Sequence, residues 1–291
     1  MVNRTATVII RQDDEIEASG VAIAVPWWSF TKTALAIATL RLWEQNKIDL
    51  DTPLEGKQYT AAQLLRHEAG LPDYGALPQY HTDVEAGALP WPLDDLLKAV
   101  EADRLRYAPG QSWAYSNIGY REVARLIEWA SRQPLADALA ELVFRRAELS
   151  TARLVATPED LAQVCMGDVV GYDPGWVYHG LIVGTPRDAA RLLHSLLRGR
   201  LLEPRSFARM IDRRPLPQFR SAVHPDPAYG LGLMLRAKEP TIYPMGHSGS
   251  GPGSKIAVYG ERNRTCAVWA SASSGIDPEA EAFKALQEGN P

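Results

Sequence analysis

Ser29 and Lys32 stand three residues apart in the run Trp28-Ser29-Phe30-Thr31-Lys32-Thr33-Ala34-Leu35. The apolar residues that follow, to Trp43, predict a helix. Residues three apart on a helix share a face, so the Lys32 amine would lie beside the Ser29 hydroxyl. A serine hydroxyl is a weak nucleophile until a base adjoins it. Backbone N–H groups at the start of a helix can also receive a developing oxyanion. On its own the same spacing reads equally well as a helix-capping serine followed by a surface lysine. The pattern becomes chemistry only when other stretches supply partners.

Two stretches can. Tyr115-Ser116-Asn117 falls in an expected loop between helices, where a Tyr and an Asn two apart can both face one cleft. Gly246-His247-Ser248-Gly249-Ser250-Gly251 falls at an expected strand edge, and its glycines would let a substrate backbone approach like an added strand. Taken singly, Tyr115 and Asn117 are a packed ring and a turn residue. His67-Glu68 begins a zinc-protease pattern, but Leu71 stands where the second His is needed, so no metal site is expected and His67 is read as a structural hydrogen-bonder. His81, Asp83, His179 and His224 fall in expected loops without ligand spacing. Trp27, Trp28 and Trp113 flank the motifs and are candidates to line an apolar cleft.

The elements that must position these residues are mixed. Thr5–Arg11 and Glu17–Val25 predict an antiparallel hairpin. The helix carrying Lys32 is expected to end near Lys47, and Thr60 is expected to cap a short helix over Ala61–His67. A long loop is expected over the twenty residues after Pro72. Helices are expected over Leu93–Ala102, Tyr120–Ala130, Leu135–Ala147, Glu159–Val164, Thr185–Arg198 and Pro204–Asp212, with Thr185 and Pro186 as cap and first-turn proline. Arg213–Pro227 is expected as loop. Strands then follow over Tyr229–Leu235, Thr241–Met245, Ser254–Tyr259 and Thr265–Ser271, with a closing helix over Pro278–Gln287. The order of strands, many helices, strands and helix argues for an α+β fold, with one antiparallel sheet built from both chain ends and a mainly helical insertion. The expected division is a sheet-bearing lobe over 1–58 and 172–291 and a helical lobe over 59–171, with the active site between them.

Composition narrows the function. The 291 residues are 46% hydrophobic and 23% charged with a net charge of −4, ordinary for a globular chain. No basic block points to nucleic acid, and no apolar run is long enough to span a bilayer. The start, Met1-Val2-Asn3-Arg4, has no signal-peptide pattern, and Cys165 and Cys266 are two lone thiols that give neither a disulfide framework nor zinc spacing. A cytoplasmic protein with no cofactor is the expectation.

Read together, Ser29-Phe30-Thr31-Lys32, Tyr115-Ser116-Asn117 and His247-Ser248-Gly249 resemble, in order, the motifs of the serine β-lactamase and penicillin-binding-protein superfamily. The resemblance is to the branch that includes class C β-lactamases, D-alanyl-D-alanine carboxypeptidases, D-aminopeptidases and carboxylesterases. Leu64 to Pro72, Pro109 to Tyr120 and Tyr229-Gly230-Leu231-Gly232 are similar to that family's flanking segments, and the likeness runs from about Val21 to Ser271. It implies Ser29 as the acylated nucleophile, with Lys32 and Tyr115 sharing the general-base work and Lys32 holding Tyr115 toward its phenolate. It implies Asn117 on Lys32 or on a substrate amide. The N–H groups of Ser29 and Ser250, beside Gly249, would form the oxyanion hole, and His247 would line the cleft. His247 stands where class C β-lactamases usually carry a Lys, and His67-Glu68-Ala69-Gly70 replaces the usual His-Thr-Ser-Gly. Fewer residues precede Ser29 than in most relatives, so an N-terminal helix is expected to be missing. The resemblance therefore implies a serine hydrolase acting through an acyl-enzyme on a small ester or amide, an esterase or D-amino-acid amidase or peptidase. Penicillin binding or weak β-lactamase activity is the first alternative, and a non-catalytic ligand-binding member of the fold the second.

Overall fold

In the computed structural model of the protein, which describes residues 4–241, 244–261 and 263–287, strands from both ends of the chain meet in one sheet. Strand β1 (Thr5–Arg11) and β2 (Ile16–Gly20) form the N-terminal hairpin, and β3 (Val25–Pro26) leads into the Ser29 turn. Two further short strands, β4 (Arg153–Val155) and β5 (Leu181–Gly184), lie in mid-chain. The C-terminal part supplies β6 (Arg214–Pro215), β7 (Pro227–Tyr229), β8 (Met234–Arg236), β9 (Met245–Gly251), β10 (Ser254–Gly260) and β11 (Arg264–Ser271). The large sheet is antiparallel throughout and runs β2-β1-β11-β10-β9-β8-β7-β6, with Val8 opposite Ala267 where the two chain ends pair. Strands β3, β5 and β4 make a second, three-stranded sheet that had no counterpart in the sequence reading.

Alternation along the central strands sorts their side chains to two faces. Ala257 and Tyr259 of β10, with Cys266 and Val268 of β11, pack under Ala282, Phe283 and Leu286 of the closing helix. Ile256, Val258, Ala267 and Trp269 face the other way, into the main core with Leu192, Leu193 and Leu196. The helices of that side are α1 (Thr31–Glu44), α2 (Ala61–Leu65), α3 (Pro78–Glu85), α4 (Leu93–Ala99), α5 (Asn117–Ser131), α6 (Leu135–Leu139), α7 (Pro186–Leu197) and α8 (Pro204–Met210), and the closing helix is α9 (Pro278–Gln287). Helix α1 is apolar on every side and buried from Thr31 to Leu40, as a helix crossing the middle of a core must be. Among the described residues no helix is long and apolar enough to cross a membrane.

Several expected boundaries move. The long loop after Pro72 contains a 3₁₀ turn over Tyr74–Ala76 and helix α3, which Pro78 starts at its first position. The expected strand Tyr229–Leu235 is two strands, because a turn closed by the Gly230 N–H on the Leu233 carbonyl (2.8 Å) splits it into the β7–β8 hairpin. Leu135–Ala147 is α6 followed by a wider π turn over Ala140–Phe144, and Glu159–Val164 is reduced to a 3₁₀ turn over Pro158–Leu161. Of the expected strand Thr241–Met245, residues 242 and 243 lie outside the described residues, and β9 starts at Met245. Thr60 does cap α2, through a reciprocal pair with Gln63, and the Thr185 hydroxyl caps α7 on the Asp188 N–H.

Candidate active site

Ser29 lies in a 3₁₀ turn, Trp28–Phe30, that joins β3 to α1. Trp28 adopts φ +44° there, a left-handed conformation that is strained for a bulky residue. Its surroundings hold it. The indole N–H donates to Ser254 Oγ on β10 (3.1 Å), and the ring meets Tyr172 edge-on at 5.5 Å. The ring also covers Gly251, where a Cβ would come within 2.4 Å of it. Strand β9 crosses the turn equally closely at Gly249: a Cβ there would stand 2.7 Å from the Ser29 nitrogen and 2.6 Å from the Trp27 carbonyl oxygen. Glycine at this position is what lets the β9 backbone reach Ser29.

The second wall of the site is helical. Lys32, in the first turn of α1, is fully buried, and its Nζ lies 3.4 Å from Ser29 Oγ and 2.7 Å from Asn117 Oδ1. Asn117 begins α5, which Ser116 caps through its hydroxyl on the Gly119 N–H. The Asn117 N–H donates to Asp73 (2.8 Å). The Tyr115 hydroxyl is 2.7 Å from Ser29 Oγ. Ser29, Lys32, Tyr115 and Asn117, separated by up to 88 positions in the chain, thus form one connected cluster. Sequence reasoning missed one member. His179, read as a loop residue, is buried with Nε2 3.2 Å from Lys32 Nζ.

Burial sets the protonation of the cluster. It pulls the Lys32 amine down to about 7, against the raising influence of Asp73. Tyr115 is pushed well above the ordinary phenol range by burial, and the Ser29 hydrogen bond only partly offsets this. That runs against the expectation of a phenolate held by Lys32. Nζ stands over the Tyr115 ring, 4.8 Å from its centroid, in a dry setting that favours the neutral phenol. His247 is held down to about 4, chiefly by burial.

His247 also departs from its expected place. It is 2% exposed and does not line the cleft. Its Nε2 pairs with the Tyr229 hydroxyl (2.8 Å) and its Nδ1 with the Ser248 carbonyl (2.5 Å). With both nitrogens engaged inside the wall, a substrate carboxylate has no free edge of the ring to meet. His67 behaves as a structural residue: its Nδ1 accepts the Ser116 N–H (3.1 Å), and its ring packs at 4.4 Å from that of Tyr115. Trp27 is wholly buried with its N–H on the Gly184 carbonyl, and Trp113 packs behind His67, so of the three flanking tryptophans Trp28 alone lines the cleft.

The cleft over this cluster encloses about 530 Å³. Ser29, Asn117, His179 and Ser250 form its polar end. Trp28, Tyr74, Tyr80 and Tyr172 form an aromatic wall, with Glu85 at the α3 rim. Among the described residues no Lys or Arg side chain lines it, and no group of three or more His, Cys, Asp or Glu side chains is placed to hold a metal ion.

Residues 24–290, and so all of this cluster, match the family model described as Beta-lactamase. The chain belongs to the Beta-lactamase family. The fold agrees: the D-stereospecific amidohydrolase from Streptomyces sp. superposes over 99% of this chain and 95% of its own with a TM-score of 0.82 at 22% identity. The D-amino acid amidase from Ochrobactrum anthropi does so over 98% and 92% with a TM-score of 0.76 at 21% identity. Identities this low speak for the fold. Among curated members, a D-aminopeptidase of Brucella ovis is 33% identical over 120 residues, which are 41% of this chain and 22% of the relative. The chain thus matches about a fifth of the length of such relatives.

Proposed function

We propose that this family member is a serine amidase that hydrolyses small amides of apolar or aromatic amino acids, of the D series, through an acyl-enzyme on Ser29. The observation that carries the reading is the placement of Ser29 Oγ between Tyr115 (2.7 Å) and Lys32 (3.4 Å) at the foot of an aromatic cleft. With its amine near 7, Lys32 is substantially neutral at physiological pH and can take the serine proton. As Ser29 Oγ bonds to the amide carbon, the N–H groups of Ser29 and Ser250 receive the oxyanion. The C–N bond breaks as Tyr115 gives its proton to the leaving nitrogen, and Lys32 returns a proton to Tyr115. Water then attacks the ester, loses a proton to the same base, and Ser29 recovers its own as the acid departs.

The cleft supports the substrate class. Its aromatic wall suits an apolar side chain, and the Glu85 carboxylate suits an ammonium at the rim. A β-lactam or a C-terminal peptide would bring a carboxylate to a cleft that, among the described residues, is lined by no lysine or arginine, which disfavours both. The D configuration draws on the names of the D-aminopeptidase and D-amidohydrolase relatives. The test is intact-protein mass spectrometry after exposure to a fluorophosphonate, with turnover of D- and L-phenylalanine amide measured alongside. One adduct, absent in Ser29→Ala, and hydrolysis of the D amide are expected. An unlabelled native protein, or turnover that survives Ser29→Ala, would overturn the reading.

A further inference from the structure

Lys32 has more neighbours than Ser29 and Asn117 account for. His179 Nε2 lies 3.2 Å from Nζ, and the ring is placed by the backbone on both sides of it. Around it, the Gly180 N–H closes a tight turn on the Val177 carbonyl (2.7 Å) that contains His179, with Gly180 at φ +91°. After it, Ile182 is stitched to both ends of the nucleophile's turn. Its carbonyl accepts the Trp27 N–H (2.9 Å), and its N–H donates to Thr31 Oγ1 (3.2 Å). His179 therefore sits in a fixed frame that includes Ser29 itself. Among the described residues its Nδ1 is buried without a hydrogen-bond partner, so of these Lys32 alone hydrogen-bonds the ring's polar edge.

A neutral amine has two N–H donors and one lone pair. If Asn117 Oδ1 and His179 Nε2 each accept one donor, the lone pair is left for the Ser29 hydroxyl, the remaining hydrogen-bond neighbour of Nζ among the described residues. If instead His179 donated from Nε2, the lone pair would be consumed and Lys32 could not act on Ser29. We propose that His179, as the Nδ1–H tautomer, is a positioning residue that accepts from Lys32 and with Asn117 aims the Lys32 lone pair at Ser29. The inference rests on the reading of Lys32 as the base for Ser29. The same acceptor also holds the ammonium after Lys32 has taken the proton, and acceptors favour the charged form. The other titratable groups facing Lys32 are Asp73, His67, Tyr115, Tyr120 and His247. They stay in place when His179 is exchanged.

The experiment compares the acid limb of kcat/KM for D-phenylalanine amide, and the pH dependence of fluorophosphonate labelling, in the native protein, His179→Leu and His179→Gln. Leu removes the acceptor and takes away support for the ammonium, so the acid limb moves to lower pH by about one unit, the size of one lost hydrogen bond to a charged group, and kcat/KM falls about 10- to 100-fold, toward the lower end of what a positioned general base contributes. Gln restores an acceptor, and with it the limb and most of the rate. A limb that stays put in His179→Leu, with Gln no better than Leu, would leave His179 a packing residue and overturn the inference while the Ser29 adduct still forms. Failure of the native protein to label would overturn the function and this inference together. Ring ¹⁵N shifts of the native protein need no variant: an unprotonated Nε2 on His179 is expected, and a protonated Nε2 overturns the proposal even if neither variant folds.

Discussion

His179 and His247 sit on opposite walls of the same cleft, 3% and 2% exposed, and both are held neutral by burial. They differ in what their nitrogens touch. On the β9 wall His247 spends both on its own surroundings, the Tyr229 hydroxyl and the Ser248 carbonyl. On the helical wall His179 offers one nitrogen to Lys32 and lines the cleft. The β9 wall is a backbone edge, with Gly249 against the Ser29 turn. The helical wall holds Lys32 and Tyr115, to which the proposed reaction assigns the proton transfers. The lesson is that a histidine's part in a site follows from whether its nitrogens are already committed, and proximity to a motif does not decide it.

That contrast can be broken in order of expected effect. On the helical wall, Lys32→Met should lower kcat about 10³- to 10⁴-fold, the loss typical of a missing general base. The same change should stabilise the fold at pH 7. The folded pKa is lowered to about 7 from 10.5, so between these values the unfolded chain binds the extra proton and stability rises with pH. The advantage of Met is therefore greatest at and below pH 7 and shrinks toward pH 10; thermal unfolding across that range reads it. On the β9 wall, Gly249→Ala must push the edge off the Ser29 nitrogen. A loss of about 10²- to 10³-fold in kcat is expected from the displaced oxyanion donors, together with a lower Tm.

His247→Phe is the smallest in activity and sharpens the contrast most. It removes the His247 partner of the Tyr229 hydroxyl and should cost about 1–3 kcal/mol of stability, with the acid limb of kcat/KM unmoved. In the native protein the folded His247 titrates near 4 and the unfolded one near 6.5. Stability therefore falls as pH drops from 6.5 toward 4, at about 1.4 kcal/mol per unit at most from this residue. The Phe variant should lose that slope, and denaturant unfolding between pH 4 and 7 measures it.

The parts of the site legible in the sequence are those whose geometry is local. Ser29 and Lys32 are paired by helical spacing, and Tyr115 and Asn117 by an extended dipeptide step at the start of α5. The strands at both ends were legible from β-branched runs, and their pairing into one sheet from the order of elements. His179 was not, because its role exists only once the strand that follows it is bonded to the Ser29 turn 150 residues away. The fully buried run Leu181-Ile182-Val183 directly after His179-Gly180 was the available signal, since a histidine abutting such a run is pinned. Helix α3 was hidden by its Pro, His and Thr content, although Pro78 at its first position was a helix-start signal. The β7–β8 turn was hidden because Gly230-Leu231-Gly232 sits among apolar residues that read as one continuous strand.

The hydrogen bond from the Trp28 indole to Ser254 has a consequence for the order in which the protein becomes itself. Trp28 and Ser254 are 226 positions apart, and the left-handed turn beside the nucleophile is held from that far side. A chain emerging from the ribosome presents Ser29 and Lys32 early, but the clamp on their turn arrives only after 226 further positions have been made. Ordering of the Ser29 turn is thus tied to docking of the β9–β10 hairpin, so the moment at which labelling is acquired during refolding times that docking.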